Sequence, residues 1–304
     1  MIRVIKPGLL TTVQDLGRRG FAHLGLSPGG AADSVSFPIA NLLVGNELNA
    51  AALEMTLLGP TLEFEVAATI AISGYGTSAS LPMNEAFDVT AGTTVAVGPL
   101  SSGARAYCAI RGGVLIPEIM HSSSTFLPAK IGGFQGRGLR AGDKLAIGKR
   151  TQGSPRKLSP LVPTSLQLHH GPVRVTPSLQ SDWFDQQTVD RFHQQAFTVT
   201  DQSNRSGLRL GGEPILASNR GELLTEGIAL GAVQVPPDGQ PIILFVDQQT
   251  TGGYPKIANV IAADLPRVGQ LRPRDEIRFQ SVTISEAVEL LRQQERALHE
   301  ALTS

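Results

Sequence analysis

The chain has 304 residues, 41% of them apolar and only 5% aromatic, which is enough for two domains with cores of aliphatic side chains. Lys+Arg and Asp+Glu both total 26, so there is no net positive field to draw the protein to nucleic acid or to an anionic membrane. The single cysteine, Cys108, excludes an intrachain disulfide and a thiolate zinc site, and it sits in an apolar stretch where a buried, inert thiol is expected.

The N-terminal segment Met1 to Gly8 has no apolar run of signal-peptide length, and no stretch nears the ~18 apolar residues of a membrane helix. The expected location is the cytoplasm. From there the 33 glycines and 20 prolines punctuate the whole length. Between them lie short β-branched or alternating runs at 61–66, 69–73, 93–97, 174–176, 196–200 and 242–246. Short strands with frequent turn signals make a sandwich or a barrel, so the predicted class is mainly β with few helices. Helices are expected at 34–44, capped by Asp33 or Ser34, and at 179–194. A third is expected after Ser285, where Glu286 and Glu289 favour the positive end and Ala287, Leu290, Leu291, Leu298 and Leu302 form one apolar stripe.

The segment 149–164 is rich in Pro, Ser, Lys and Arg and reads as a linker, dividing the chain into β-rich halves at 1–150 and 165–304. The halves carry a faint echo. Leu139-Arg140-Ala141-Gly142-Asp143-Lys144-Leu145 resembles Leu271-Arg272-Pro273-Arg274-Asp275-Glu276-Ile277, and Glu54 precedes Gly59 by the same interval as Glu226 precedes Gly231. Such echoes are compatible both with duplication and with chance.

The most informative stretch for chemistry runs from Ile242 to Lys256. A buried apolar strand delivers Asp247 and Gln248 at its end. Thr250 and Thr251 follow, then Gly252-Gly253, Tyr254, Pro255 and Lys256. Hydroxyls, bare backbone and an ammonium suit a carboxylate or phosphate. A hairpin turn fits the same residues. Asn204-Arg205 also follows a strand; the Arg205 fork could grip an oxyanion or simply pair with Asp201. In the first half, Asp15 and Arg18 lie between glycines. Arg111-Gly112-Gly113 and Gly132-Gly133-Phe134-Gln135-Gly136-Arg137 lack P-loop or dinucleotide spacing. His169-His170 has no carboxylate or Cys at metal-ligand spacing, so no metal site is expected. There is no Gly-x-Ser-x-Gly elbow.

Taken in order, Val13-Gln14-Asp15-Leu16-Gly17-Arg18, Gly30-Ala31-Ala32-Asp33, Ala40-Asn41-Leu42-Leu43-Val44-Gly45-Asn46, Arg111-Gly112-Gly113, Gly132 to Arg137, Ser203-Asn204-Arg205, Gly231-Ala232-Val233-Gln234-Val235-Pro236 and Gln249-Thr250-Thr251-Gly252-Gly253-Tyr254-Pro255-Lys256-Ile257 resemble one family. It is the biotin-dependent carboxyltransferase-like family, also called allophanate hydrolase subunit 2 or urea amidolyase-related, and it includes the C-type subunits of bacterial 5-oxoprolinases. The resemblance spans roughly residues 3–280. It implies a cyclophilin-like β-barrel at least in the C-terminal half. It also implies work in complex with a subunit-B-like and a subunit-A-like protein in ATP-dependent opening of a cyclic amide, 5-oxoproline. ATP would be shared with or bound on the partner, since no nucleotide loop is visible in this chain. A regulatory module antagonising a subunit-B-like kinase inhibitor, and a component of urea or amide carboxyl transfer, are the alternatives. On this resemblance Lys256 and Arg205 would stabilise negative charge on oxygen, Asp247 would be base or orienter, and Asn204, Gln234, Thr251, Gly252, Gly253 and Tyr254 would bind the substrate. Arg274 departs from the family pattern, where glycine is usual.

Overall fold

The computed structural model describes residues 1–77, 79, 81–149, 171–218 and 223–303. The expected linker, apart from Lys149, and His169-His170 fall outside them. Two compact units emerge: Met1–Arg18 with Gly29–Leu166 and Ala297–Ser304, and Arg19–Pro28 with Gln167–Arg296.

The first unit contains β1 (Ile2–Lys6), β2 (Leu10–Gln14), α1 (Ser36–Leu43), β3 (Ala52–Thr56), β4 (Thr61–Phe64), β5 (Ala68–Gly74), β6 (Ala86–Val89), β7 (Thr94–Ala96), β8 (Arg105–Ile110) and β9 (Lys144–Leu145). They form a four-stranded sheet ordered β7-β4-β1-β9 and a five-stranded sheet ordered β2-β3-β8-β5-β6. Side chains alternate across a strand, and here both faces of the larger sheet are buried. Leu53, Met55, Ile70, Ile72 and Cys108 point into one core with Ile2, Val4, Leu62 and Phe64 of the smaller sheet. The intervening Ala52, Ala71, Tyr107 and Ala109 join Phe37, Ala40 and Leu43 of α1 in a second core. Three alanines on that face let the helix sit close to the sheet.

The second unit contains β10 (Val173–Pro177), α2 (Gln186–Gln194), β11 (Phe197–Val199), β12 (Gly207–Gly211), β13 (Glu226–Gly227), β14 (Ala232–Gln234), β15 (Ile242–Leu244), β16 (Thr251–Gly252), β17 (Lys256–Val260), α3 (Leu265–Val268), β18 (Glu276–Ile277), β19 (Phe279–Ser281) and α4 (Ile284–Thr303) as far as Arg296. Eight strands make one sheet, ordered β18-β11-β12-β15-β14-β17-β10-β19. Its edge strands β18 and β19 are separated in the chain only by Arg278, so one continuous segment brings the two edges together. Val173 N–H donates to Arg278 O at 2.7 Å on that seam. The C-terminal half is therefore a nearly closed barrel, which removes the unpaired edges an open sheet would expose. β13 and β16 stand apart as a two-stranded ribbon. Phe192 of α2 stacks on Phe279 with ring centroids 4.5 Å apart.

The helices differ from the sequence expectation in their boundaries, because caps decide them. α1 starts at Ser36, where the Asp33 carboxylate accepts from the N–H groups of Val35 and Ser36, both at 2.9 Å. The region 179–194 divides into a 3₁₀ turn, Ser181–Trp183, and α2, which begins after Asp185 accepts from Thr188 N–H at 2.8 Å. The cap of α4 is Thr283, not Ser285. Thr283 N–H donates to Glu286 Oε2 at 2.7 Å and Glu286 N–H donates to Thr283 Oγ1 at 3.2 Å, a reciprocal capping box.

One of the two sequence echoes has a structural counterpart. Arg140 N–H donates to Asp143 Oδ2 at 2.7 Å, and Arg272 N–H donates to Asp275 Oδ2 at 2.8 Å. Gly142 (φ 90°) and Arg274 (φ 75°) both take the left-handed conformation, and each turn leads into a two-residue strand, β9 or β18. The sheets built around the two turns follow different plans. Glu54 and Glu226, by contrast, occupy unlike settings, a buried sheet strand and the separate ribbon.

Candidate functional site

Two polar clusters lie in the barrel unit. The first forms where β15 ends. The apolar run continues through buried Phe245 and Val246 and delivers Asp247, which is 3% exposed. Arg205, just before β12, meets it in a two-pronged pair, Nε to Oδ2 at 2.8 Å and Nη2 to Oδ1 at 3.0 Å. Asp247 N–H also donates to Arg205 O at 2.9 Å, so backbone and side chains tie the same two residues. The carboxylate for Arg205 is thus Asp247 and not the nearby Asp201. Asn204 is exposed and accepts from Ser206 N–H at 2.7 Å, closing the turn that presents Arg205.

The second cluster forms at the start of β17. Lys256 is 4% exposed, and its ammonium donates to Glu226 Oε1. Gln180 Nε2 donates to the same oxygen at 2.7 Å. The register explains the convergence. Gln234 of β14 lies directly opposite Lys256. On the other side, Pro177 of β10 lies opposite Ala258 and Ser178 N–H donates to Ile257 O at 3.3 Å; the strand ends there, and the turn that follows carries Gln180 to the Glu226 carboxylate that Lys256 also contacts. Glu226 is brought in by the ribbon, where it pairs with Gly252. Gln234 Nε2 donates to Tyr254 O at 3.4 Å. A Cβ on Gly252 would stand 2.9 Å from Gln234 Nε2 and 2.5 Å from Ile228 Cδ1, so a larger residue there would have to displace the ends of those two side chains. Thr251 and Tyr254 are exposed on the loop, and Gly253 lies between Gly252 and Tyr254.

Hydrogen bonding to Lys256, before any other cause, holds the Glu226 carboxyl below the usual glutamate range. The pair is asymmetric: the lysine side chain is 5% exposed and that of the glutamate 40%. A cation shut in on one side and facing a half-open carboxylate on the other can bind an oxyanion or a polarised carbonyl oxygen.

The two clusters occupy different levels of the sheet. Lys256 is level with Gln234, Ile242 and Arg209, whereas Arg205 and Asp247 lie beyond the Gly207–Leu244 pair at the other end of β12 and β15. The structure groups Lys256 with Gln234 and Gly252, and Arg205 with Asp247. Sequence reasoning did not select Glu226 or Gln180 for the site. Glu226 stood out only through its spacing to Gly231, and a glutamine after a strand carries no signal of its own.

In the first unit the polar motifs have structural partners. Asp15 accepts from Gly17 N–H at 2.7 Å, Ser122 Oγ at 2.8 Å and Ser123 N–H at 2.6 Å. Arg18 donates to Ser124 O. A concavity of about 550 Å³ there is lined by Leu115, Ile116, Ile119, Phe134 and Lys130 among others. Among the described residues, no three His, Cys, Asp or Glu side chains gather as a metal site would require, and no helix is long and apolar enough to cross a membrane.

The family model "Carboxyltransferase domain, subdomain A and B" matches residues 24–281, and the chain belongs to that family. It is 40% identical to the C subunit of Escherichia coli 5-oxoprolinase, covering 97% of this chain and 96% of that protein. The Haemophilus influenzae protein of the same name is 36% identical, with the same coverage. Urea amidolyase of Lachancea kluyveri is 35% identical over 97% of this chain, which spans only 18% of that protein. The solved structure of K. lactis urea amidolyase superposes with a TM-score of 0.91 at 32% identity, covering 99% of this chain and 20% of that one.

Proposed function

We propose that this chain is the C-type subunit of an ATP-dependent 5-oxoprolinase, converting 5-oxo-L-proline, ATP and water to L-glutamate, ADP and phosphate together with subunit-B-like and subunit-A-like proteins. The end-to-end match carries this reading: the two bacterial 5-oxoprolinase relatives correspond to the chain over 96% of their own length. The Lys256 cluster supplies fitting chemistry. A lactam resists hydrolysis because its nitrogen donates into the carbonyl. Transfer of the ATP γ-phosphoryl group to the carbonyl oxygen releases ADP and makes the ring carbon electrophilic. Water then adds and the C–N bond breaks, leaving the open acyl phosphate, and a second water hydrolyses it to L-glutamate and phosphate. In this reading Lys256 faces the oxygen on which negative charge grows, and Gln234, Gly252, Gly253, Thr251 and Tyr254 frame the substrate. Asp247, already engaged by Arg205, serves as an orienter. It anchors the end of β15 from which the 248–255 loop departs, and Asn204 shapes the adjoining turn. ATP enters as a substrate held on a partner or at a subunit junction, in keeping with a sequence that has no P-loop.

A second reading, carboxyl transfer to a urea-like amide, is favoured by the likeness to urea amidolyase. Both substrates are planar amides. Co-expression with subunit-B-like and subunit-A-like proteins of the same genome, followed by measurement of 5-oxoproline-dependent ADP release and glutamate formation, tests the first. A stable complex without turnover on 5-oxoproline overturns it and favours a regulatory or carboxyl-transfer role.

A further inference from the structure

We infer that Gln180 is the residue that selects an amide N–H in the ligand, an inference that rests on the cyclic-amide reading above. The orientation of its side-chain amide is fixed by its partner. A carboxylate can only accept, so the group donating to Glu226 Oε1 at 2.7 Å is Nε2, and the oxygen must face the other way. That oxygen, Oε1, is buried and has no hydrogen-bond partner among the described residues, on a residue only 8% exposed. Buried acceptors in folded proteins are nearly always satisfied, so an isolated one, on a side chain that shares a carboxylate with a buried cation, marks a place for a donor. The backbone is held in place as well: Trp183 N–H donates to Gln180 O at 3.0 Å, and the preceding strand is paired with β17.

The shared carboxylate gives the cluster its selectivity. Lys256 lies opposite Gln234 of β14, and beyond the end of β10 Gln180 shares Glu226 Oε1 with it. One neighbour supplies the leftover acceptor Oε1; Lys256 and Gln234 supply donors. A ring-constrained amide is cis and presents its N–H and C=O on one edge, side by side. An open trans amide cannot do this, and an ester ring has no N–H. The chemical class is therefore a cis amide, with N–H toward Gln180 Oε1 and C=O toward Lys256.

The test compares binding of 5-oxo-L-proline with that of its ring-oxygen analogue, the γ-lactone carboxylate, by calorimetry on the full chain in its reconstituted complex. Sites built to bond an N–H reject analogues lacking it by factors up to ~10⁴–10⁵, so wild type is expected to prefer the lactam by at least about 100-fold. Gln180→Leu is expected to bring the two ligands within about threefold of each other. A purely structural role for Gln180, through Glu226, would weaken both ligands alike and leave the ratio intact; that result overturns the inference. Gln180→Met, close in shape, gives the same comparison should the leucine variant not fold. Lactam binding with no preference in wild type overturns this inference alone, and absence of binding of either ligand overturns the 5-oxoprolinase reading along with it.

Discussion

Lys256 reaches Glu226 across thirty positions of sequence, and the two are joined only because the β13–β16 ribbon lays Glu226 against the start of β17. The lysine cannot turn to water, whereas the glutamate can. Lys256→Ala therefore leaves a carboxylate that solvates itself, and the cost to stability should stay within ~1 kcal/mol, as for a half-exposed pair. Turnover of the reconstituted 5-oxoprolinase should be abolished, with subunit binding intact. Near wild-type turnover in that variant would remove Lys256 from the site.

The same pair sets a pH dependence. The folded Glu226 carboxyl titrates below its ordinary value of about 4.3, chiefly because Lys256 donates to it. Its contribution to stability is present above the unfolded pKa and is lost as pH falls through the lower, folded one. Activity should therefore persist on the acid side past the ordinary glutamate range. Glu226→Gln should remove that acid limb from a kcat/KM profile without moving the alkaline one.

Arg205 and Asp247 are both buried, so this pair behaves differently. Asp247→Asn removes the two-pronged carboxylate that grips a 4%-exposed guanidinium, a change that costs about 3–5 kcal/mol. Replacing both, as Arg205→Met with Asp247→Leu, should cost less than the single change, because neither member of the pair is then left buried without the other. Urea midpoints of the three proteins check the order.

Strand positions were legible because glycine and proline interrupt the chain wherever a strand must turn, and all six runs selected from the sequence contain strands. Helix starts were less so. Thr283 outcompetes Ser285 because only Thr283 has a glutamate three residues on. The Lys256 cluster was half legible. Gly252 and Gln234 travel in motifs with strand ends, but Gln180 acquires meaning only once β10 is in register with β17. The two-sheet plan of the first unit was not legible, since β1 and β2 are adjacent in sequence yet belong to different sheets.

The paired turns offer a reciprocal experiment on backbone strain. Arg274 holds a left-handed conformation (φ 75°) that costs a side chain roughly 1–2 kcal/mol, while glycine loses about 0.5–1 kcal/mol in greater unfolded-state freedom. Arg274→Gly should thus be neutral to stabilising by about 1 kcal/mol. Gly142→Ala meets no atom within 4 Å, so its cost should be the backbone strain alone. Equal and opposite shifts in the melting midpoint would establish that the turns are energetically as well as geometrically matched.

Cys108 is 1% exposed between Tyr107 and Ala109 on β8, and burial pushes its thiol up to about 12. The reactive species is the thiolate, so neither protonation state nor access permits attack in the folded state. A thiol reagent should therefore label it only when β8 separates from β3 and β5, its neighbours on either side. Central strands of a sheet open with the globally unfolded state, so the labelling rate should track the unfolding equilibrium of the first unit across urea concentration. Fast labelling without denaturant would mean that β8 opens locally.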